Sequence, residues 1–365
     1  MGIIKRSIRN KKFSREVADH VSKARRASTR QVYNSRWQIF ASWADKRKIN
    51  PSKATPDIIA DFLIYLFKDK NCQVSTIKGY RSMISNTLKF SSYFDIGNDP
   101  VLSELIKSFQ TQRPVNRPLA PKWDLAFVLT FLCKEPYEPL NAASLIHLSM
   151  KTAFLLTMAT ARRVSEVHAF AMDKEHLRFS SVDGSLTVRT QVGFLAKNQL
   201  PSKAPDSIHI PRLSNSSRNN VFNRLLCPVR AVKLYLKRTK SIRGTRTRLF
   251  IPTKGNHDIN KSTISSWVKF TIKKAYKSIS NRNMPLLKPR AHELRALSAS
   301  WAYFNFIPLD EVIKAAVWSS SSTFAKFYLR DFSVQQANLK DLGSLVVAQK
   351  VVGGTEVPVP AREEL

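Results

Sequence analysis

The stretch TQRPVNRPLAP, Thr111–Pro121, constrains the fold more than any other part of the chain. It holds three prolines and two arginines. Proline fixes φ and removes a backbone donor, and no helical or strand period runs through the segment, so it reads as an extended, semi-rigid connector. A chain of 365 residues divided there has enough length on each side to bury a core. The expected plan is a basic arm (1–20), a helical domain (21–112), a linker (113–121), a larger domain (122–340) and a C-terminal tail (341–365).

Charge narrows the partner. There are 60 Lys and Arg against 26 Asp and Glu, a formal net charge of +34, and the isoelectric point is near 10.4. Such an excess favours a polyanion as partner. An acidic membrane would call for a basic amphipathic helix or a lipid signal, and neither is evident. No apolar run reaches membrane-spanning length. Cys72, Cys133 and Cys227 are far apart and form no C-x-x-C pair, so neither a disulfide framework nor a metal site is expected. The basic N-terminus has no apolar stretch behind it and does not read as a secretory signal. Two uses fit its KRSIRNKKFSR run, Lys5–Arg15: nuclear import, or a disordered arm lying on DNA.

Periodicity predicts a mainly α protein with a small antiparallel sheet, an α+β chain. Four short helices fit the first domain. Thr29–Trp43 carries Val32, Trp37, Phe40 and, just beyond, Ala44 at helical spacing, with Arg30 and Arg36 interleaved. Pro56–Phe67 opens on a proline. Val74–Phe90 has Ser75 as its expected cap, and Val101–Phe109 follows Asp99-Pro100. Lys78 and Arg81 fall on the polar face of the third helix and are candidate phosphate contacts; a solvated charged face is the plainer reading. In the second domain Trp123–Leu132 and Ala142–Met158 read as buried helices, and a break at Thr160 starts the helix that carries Arg163. Asp183-Gly184 between two alternating runs signals a β-hairpin, and Ser207–Ile210 is a further strand. Pro228–Arg238 and Asn260–Ile279 are helices. The second of these turns Trp267, Phe270 and Tyr276 inward and leaves Lys273 with its neighbours for phosphates. The run LKRTKSIRGTRTRLF, with six basic residues, fits a DNA-backbone patch or an import signal.

The chemistry gathers in KPRAHELRALSASWAYFNFIPLDEVIKAAVWSSSSTFAKFYLRDF, Lys288–Phe332. His292 and Arg295 are three apart in a helical segment and so share a face. Trp318 and Tyr328 follow. Guanidinium forks the non-bridging oxygens of a phosphodiester, imidazole and indole donate hydrogen bonds, and a phenol can attack phosphorus. Taken singly, each of these residues is more often structural. Arg163, in TMATARRVSEVHAF (Thr157–Phe170), supplies the second guanidinium.

In this order the residues resemble the tyrosine recombinase, or phage integrase, family. Its pattern is an Arg in a T-G-x-R-[IV]-S-E-like run, a hairpin Lys, H-x-x-R, a His or Trp, and a nucleophilic Tyr. Arg163, His292, Arg295, Trp318 and Tyr328 match those positions. Ala161 stands where the family usually has Gly, and the Trp318–Tyr328 gap is one residue longer than in the commonest bacterial members. The ending WSSSSTFAKFYLRDF looks most like the recombinases of DIRS-type eukaryotic mobile elements.

The resemblance implies a SAM-like four-helix core-binding domain followed by a catalytic domain. It implies Lys197 as the hairpin lysine, with Lys203 the alternative, and Glu166 orienting the surroundings of Arg163. It further implies a homotetramer on double-stranded DNA, a Holliday-junction intermediate and a tail docked on a neighbouring subunit through Leu345, Val346 and Val347. The compartment would be the nucleus in a eukaryote, the cytoplasm or nucleoid otherwise. No phosphate-cradling glycine loop is present, and Ala296 replaces the second His of a zinc HExxH, so no cofactor or metal is expected. The implied reaction is cleavage and rejoining of DNA through a 3′-phosphotyrosine. A nicking–rejoining enzyme of the type IB topoisomerase kind, and a domesticated DNA-binding protein without activity, are the competing readings.

Overall fold

The computed structural model describes residues 2–91, 94–114, 123–196, 207–213, 221–278, 288–316, 318 and 320–330. The chain divides into two compact units, Met1–Arg117 and Pro118–Leu365. Among the described residues no helix is long and apolar enough to cross a membrane.

The first unit holds α1 (Gly2–Asn10), α2 (Arg15–Lys23), α3 (Ala27–Asp45), α4 (Pro56–Lys68), α5 (Val74–Leu88) and α6 (Pro100–Gln112). The four expected helices are α3 to α6. Phe40, Trp43, Phe62, Leu63, Ile77, Ile84 and Leu102 make one core, in which Phe40 and Phe62 lie 4.9 Å apart. Asp99 starts α6 by accepting from Leu102 N at 2.8 Å, the usual satisfaction of an orphan helix donor.

Four details depart from expectation. The residues given to a disordered arm form α1 and α2, which pack through Ile4, Ile8 and Ala18 with Phe90 against them. Short apolar patches at helical spacing within a basic run were enough to fold it. Gln73, not Ser75, is the N-cap of α5. Val32 is exposed, because the buried stripe of α3 is set by Phe40, Trp43 and Ala44. α6 also runs through Gln112, past the expected helix end at Phe109 and into the first residues of the Thr111–Pro121 stretch, whose residues 115–121 lie outside the described part.

The second unit carries α7 (Leu125–Leu132), α8 (Leu145–Thr160), α9 (Val164–His168), β1 (Leu177–Phe179), β2 (Leu186–Val188), β3 (Ile208–Ile210), α10 (Val221–Leu225), α11 (Pro228–Thr239), α12 (Lys261–Lys277), α13 (Ala291–Phe304), α14 (Leu309–Ala315) and α15 (Ser321–Phe327). The strands form an antiparallel sheet in the order β1-β2-β3, with Leu177 opposite Val188 and Leu186 opposite Ile210. Gly184 takes φ +69° in the hairpin turn, a conformation that favours glycine.

α8 is the central rod. Every residue from Leu148 to Thr160 is buried, as an all-round apolar helix must be, and α11, α12 and α13 pack on it. Its one charge, Lys151, is fully buried and donates to Glu138 Oε1 at 2.6 Å and to Leu132 O at 2.7 Å. Arg230 forks the same carboxylate at 2.7 and 3.0 Å. Burial works to raise the Glu138 carboxyl, but the hydrogen bonds from Arg230 and Lys151 outweigh it and leave the group below its ordinary value.

Phe270 is exposed rather than inward. The buried stripe of α12 is Ile264, Trp267, Val268, Thr271, Ile272 and Ala275, and Phe270 projects from the other side. The run with six basic residues is also turned inward in part. Arg243 is buried and donates to Leu249 O at 3.0 Å. Arg246 reaches Asn256 O at 2.8 Å, and Arg248 contacts His168 Nε2 at 2.9 Å. These arginines tie loops to the core.

Candidate active site

α8 ends on Ala161, in the left-handed conformation at φ 47° and ψ 22°. This turn directs Arg162 and Arg163 away from the rod, and Arg163 becomes the N-cap of α9. Glu166, one turn into α9, is buried. It accepts from Arg163 Nη1 at 3.0 Å, and Arg162 Nη1 lies 3.6 Å from its other oxygen. A carboxylate at the third and fourth positions after two arginines meets both. The sequence therefore held the signal for Arg162, which the motif reading passed over.

α13 supplies the second half. Its start is tied down by Glu293, which accepts from Arg290 N at 3.3 Å and from Trp123 Nε1 at 3.2 Å. His292 is exposed at the first turn, while Arg295, on the same face, is 1% exposed. Arg295 Nη2 donates to Ala316 O. Its Nε and Nη1 have no hydrogen-bond partner among the described residues. Burial lowers its pKa to about 10, and the neighbouring charge of Arg163 adds to the effect. The group stays cationic at neutral pH, held in a place that disfavours its charge.

α14 and α15 bring the aromatic pair. Trp318 and Tyr328 lie with ring centroids 4.4 Å apart at 34°. The Arg295 guanidinium sits 5.0 Å from the Trp318 centroid and 5.4 Å from that of Tyr328, within cation–π range. Trp318 is buried and its Nε1 has no hydrogen-bond partner among the described residues. Tyr328 caps α15 and is half-buried. Its hydroxyl is 3.1 Å from His292 Nε2.

His292, Arg295, Trp318 and Tyr328 therefore form one cluster, and Arg163 acts on Arg295 from beside it. One guanidinium and one indole thus keep buried N–H groups without hydrogen-bond partners among the described residues, close to the phenol of Tyr328. That arrangement suits a tetrahedral anion next to an attacking hydroxyl. Lys197 and Lys203 lie outside the described residues, as do Leu345, Val346 and Val347.

The candidate DNA contacts separate into two kinds. Lys78 and Lys273 are exposed, and Arg30 is half-buried. Arg36 lies 5.4 Å from the Tyr80 centroid and against Gly79, where an added Cβ would come within 2.3 Å of its Nη1. Arg81 is committed inside its own domain. It donates to Gly97 O at 2.9 Å, to Ser103 Oγ at 3.0 Å and to Asp99 O at 3.3 Å. A loop rich in outward carbonyls lies next to the third predicted helix, and no helical wheel shows that.

No protein-family model matches the sequence, and no curated protein matches it. Solved structures do. The Tn1549 transposon integrase, residues 82–397, in complex with circular intermediate DNA, aligns at 13% identity and TM-score 0.53, over 85% of this chain and 92% of that one. Its Y379F form with transposon right-end DNA aligns at 13% identity and TM-score 0.53, over 90% and 97%. A lambda integrase dimer on a COC′ core site aligns at 18% identity and TM-score 0.48, over 87% and 93%. The two transposon-integrase alignments show that the chain shares the fold of the Tn1549 integrase: a mainly helical, two-part architecture with a small antiparallel sheet.

Proposed function

We propose that this protein is a DNA recombinase or integrase that cleaves and rejoins DNA through a 3′-phosphotyrosine at Tyr328. The observation that carries the reading is the cluster itself. A buried cation with open N–H groups, an indole donor and a histidine-contacted phenol meet in one place, on the fold of known recombinases.

The Tyr328 oxygen attacks the scissile phosphorus, and the bond from phosphorus to the 5′ oxygen breaks. A phenol is ordinarily protonated at neutral pH. With the ring proton on Nδ1, His292 Nε2 accepts the phenolic proton as the new bond forms. Arg163 and Arg295 hold the non-bridging oxygens and offset the charge gathering in the pentacoordinate state. Trp318 donates its indole N–H to the same group. Lys197, or Lys203, gives a proton to the departing 5′ oxygen. Rejoining reverses each transfer with a different 5′ hydroxyl, and the phosphodiester energy is kept in the phosphotyrosine. Glu166 holds Arg163 in place. Arg30, Arg36, Lys78 and Lys273 are phosphate contacts along the duplex. A homotetramer on DNA, a tail docked on a neighbour and an origin in a DIRS-type element complete the proposal; they rest on the resemblance of the motifs.

The test is a nicked suicide substrate incubated with wild type and with Tyr328→Phe. A denaturation-resistant protein–DNA adduct seen only with wild type supports the enzyme. Strand exchange between two duplexes then separates a recombinase from a nicking–rejoining enzyme. No adduct on any substrate would favour a DNA-binding protein without activity.

A further inference from the structure

The Ser300 side chain lies wholly inside the protein, more than two turns along α13 from His292. Its hydroxyl makes two bonds, and both go to the segment that carries Tyr328. Ser300 Oγ donates to Tyr328 O at 3.0 Å and accepts from Arg330 N at 2.8 Å. The chain between those two atoms has left the helix, since Tyr328 N and Leu329 N both donate to Phe324 O, at 2.8 and 2.9 Å. The backbone groups there have no regular ladder to hold them, and a single hydroxyl serves as both acceptor and donor for the turn.

From this we infer that Ser300 is a positioning residue for the nucleophile, an inference that rests on the proposed role of Tyr328. His292 grips the phenol from the start of α13 and Ser300 grips the backbone of the same residue from further along. Two points on one rigid helix fix the approach of the Tyr328 oxygen. Misplacement of a reacting group by about 1 Å costs on the order of 100-fold in rate, so the clasp bears on cleavage and not on DNA affinity. Ser300 is itself fully buried, and its two hydrogen bonds go to backbone atoms of Tyr328 and Arg330.

The test compares wild type, Ser300→Ala and Ser300→Thr on the suicide substrate. Single-turnover adduct formation at saturating DNA is measured beside DNA affinity and the thermal midpoint. The expected result for Ser300→Ala is a cleavage rate about 10- to 100-fold lower, with DNA affinity within about twofold of wild type. Ser300→Thr, which restores the hydroxyl, should recover most of the rate. An unchanged rate in Ser300→Ala overturns the inference. So does a rate that falls only together with affinity and thermal midpoint, or a Ser300→Thr as slow as Ser300→Ala. A wild type that forms no adduct would instead refute the proposed function itself.

Discussion

The Tyr328 hydroxyl and His292 Nε2 stand 3.1 Å apart across 36 residues of sequence. α13 and α15 meet so that the ring faces of the two residues are nearly edge to face, with centroids 5.2 Å apart. In the proposed reaction this contact lets His292 take the phenolic proton without rearrangement. Replacing His292 by Ala should lower the single-turnover cleavage rate by about 100- to 1,000-fold, in the range of general-base contributions. DNA affinity should stay within a few-fold. A loss of affinity equal to the loss of rate would show that His292 serves binding instead.

Arg295 presents stability and chemistry in opposition. Its guanidinium is buried with two nitrogens unpartnered among the described residues, which is unfavourable in the absence of an anion. Arg295→Met should raise the DNA-free stability by about 1–2 kcal/mol, or a thermal midpoint about 2–4 °C higher. The same substitution should reduce adduct formation by about 100- to 1,000-fold. Differential scanning calorimetry and the suicide substrate check the two halves separately. A destabilised Arg295→Met would show that its bond to Ala316 O outweighs the burial of charge.

Ala161 holds a left-handed conformation that L-residues adopt at a cost of about 1–2 kcal/mol. Glycine removes that cost and loses only a small buried methyl. Ala161→Gly should therefore raise stability by about 0.5–1 kcal/mol, read as a small rise in thermal midpoint with cleavage unchanged.

The buried group of Glu138, Lys151 and Arg230 makes a prediction in pH. The folded Glu138 carboxyl lies below its ordinary value. Its contribution is thus fully present above the unfolded carboxylate pKa and is lost as pH falls through the folded value. Glu138→Gln should cost about 3–5 kcal/mol at neutral pH, because Lys151 stays buried without its anion. The variant should also show a shallower loss of thermal midpoint on acidification below about pH 4.5. Parallel acid limbs for wild type and variant would contradict this.

The basic residues of the first unit are separable by salt. Lys78→Ala should weaken DNA binding and reduce the slope of log affinity against log salt by about 1, with no change in thermal midpoint. Arg81→Ala should do the reverse, lowering the midpoint by removing bonds to Gly97 O, Asp99 O and Ser103 Oγ while leaving the salt slope alone. Fluorescence anisotropy across a salt series distinguishes them.

Much of this was legible in the sequence, for physical reasons. α4, α5, α8, α11 and α12 were found because buried helices repeat apolar residues at a fixed spacing. The hairpin was found because Asp183-Gly184 has few other uses. The meeting of His292, Arg295, Trp318 and Tyr328 was anticipated only through a motif, since no local rule joins residues 36 positions apart. Side-chain commitments were not legible. Arg81 and Lys78 look alike on a helical wheel, yet one is bound to carbonyls contributed by a loop. Arg243 and Arg246 look like a surface patch until the chain folds back beneath them. Ser300 reads as one small residue among several, because its partners lie in a turn that periodicity does not describe.

His292, Arg295 and Ser300 all ride on α13, the proposed proton acceptor and the buried cation at one end and the clasp on Tyr328 further along. A tilt of that single rod would displace all three together. Anything that pulls on α13 would therefore bear on every step of the proposed reaction at once, as a hand on a lever moves every contact the lever closes.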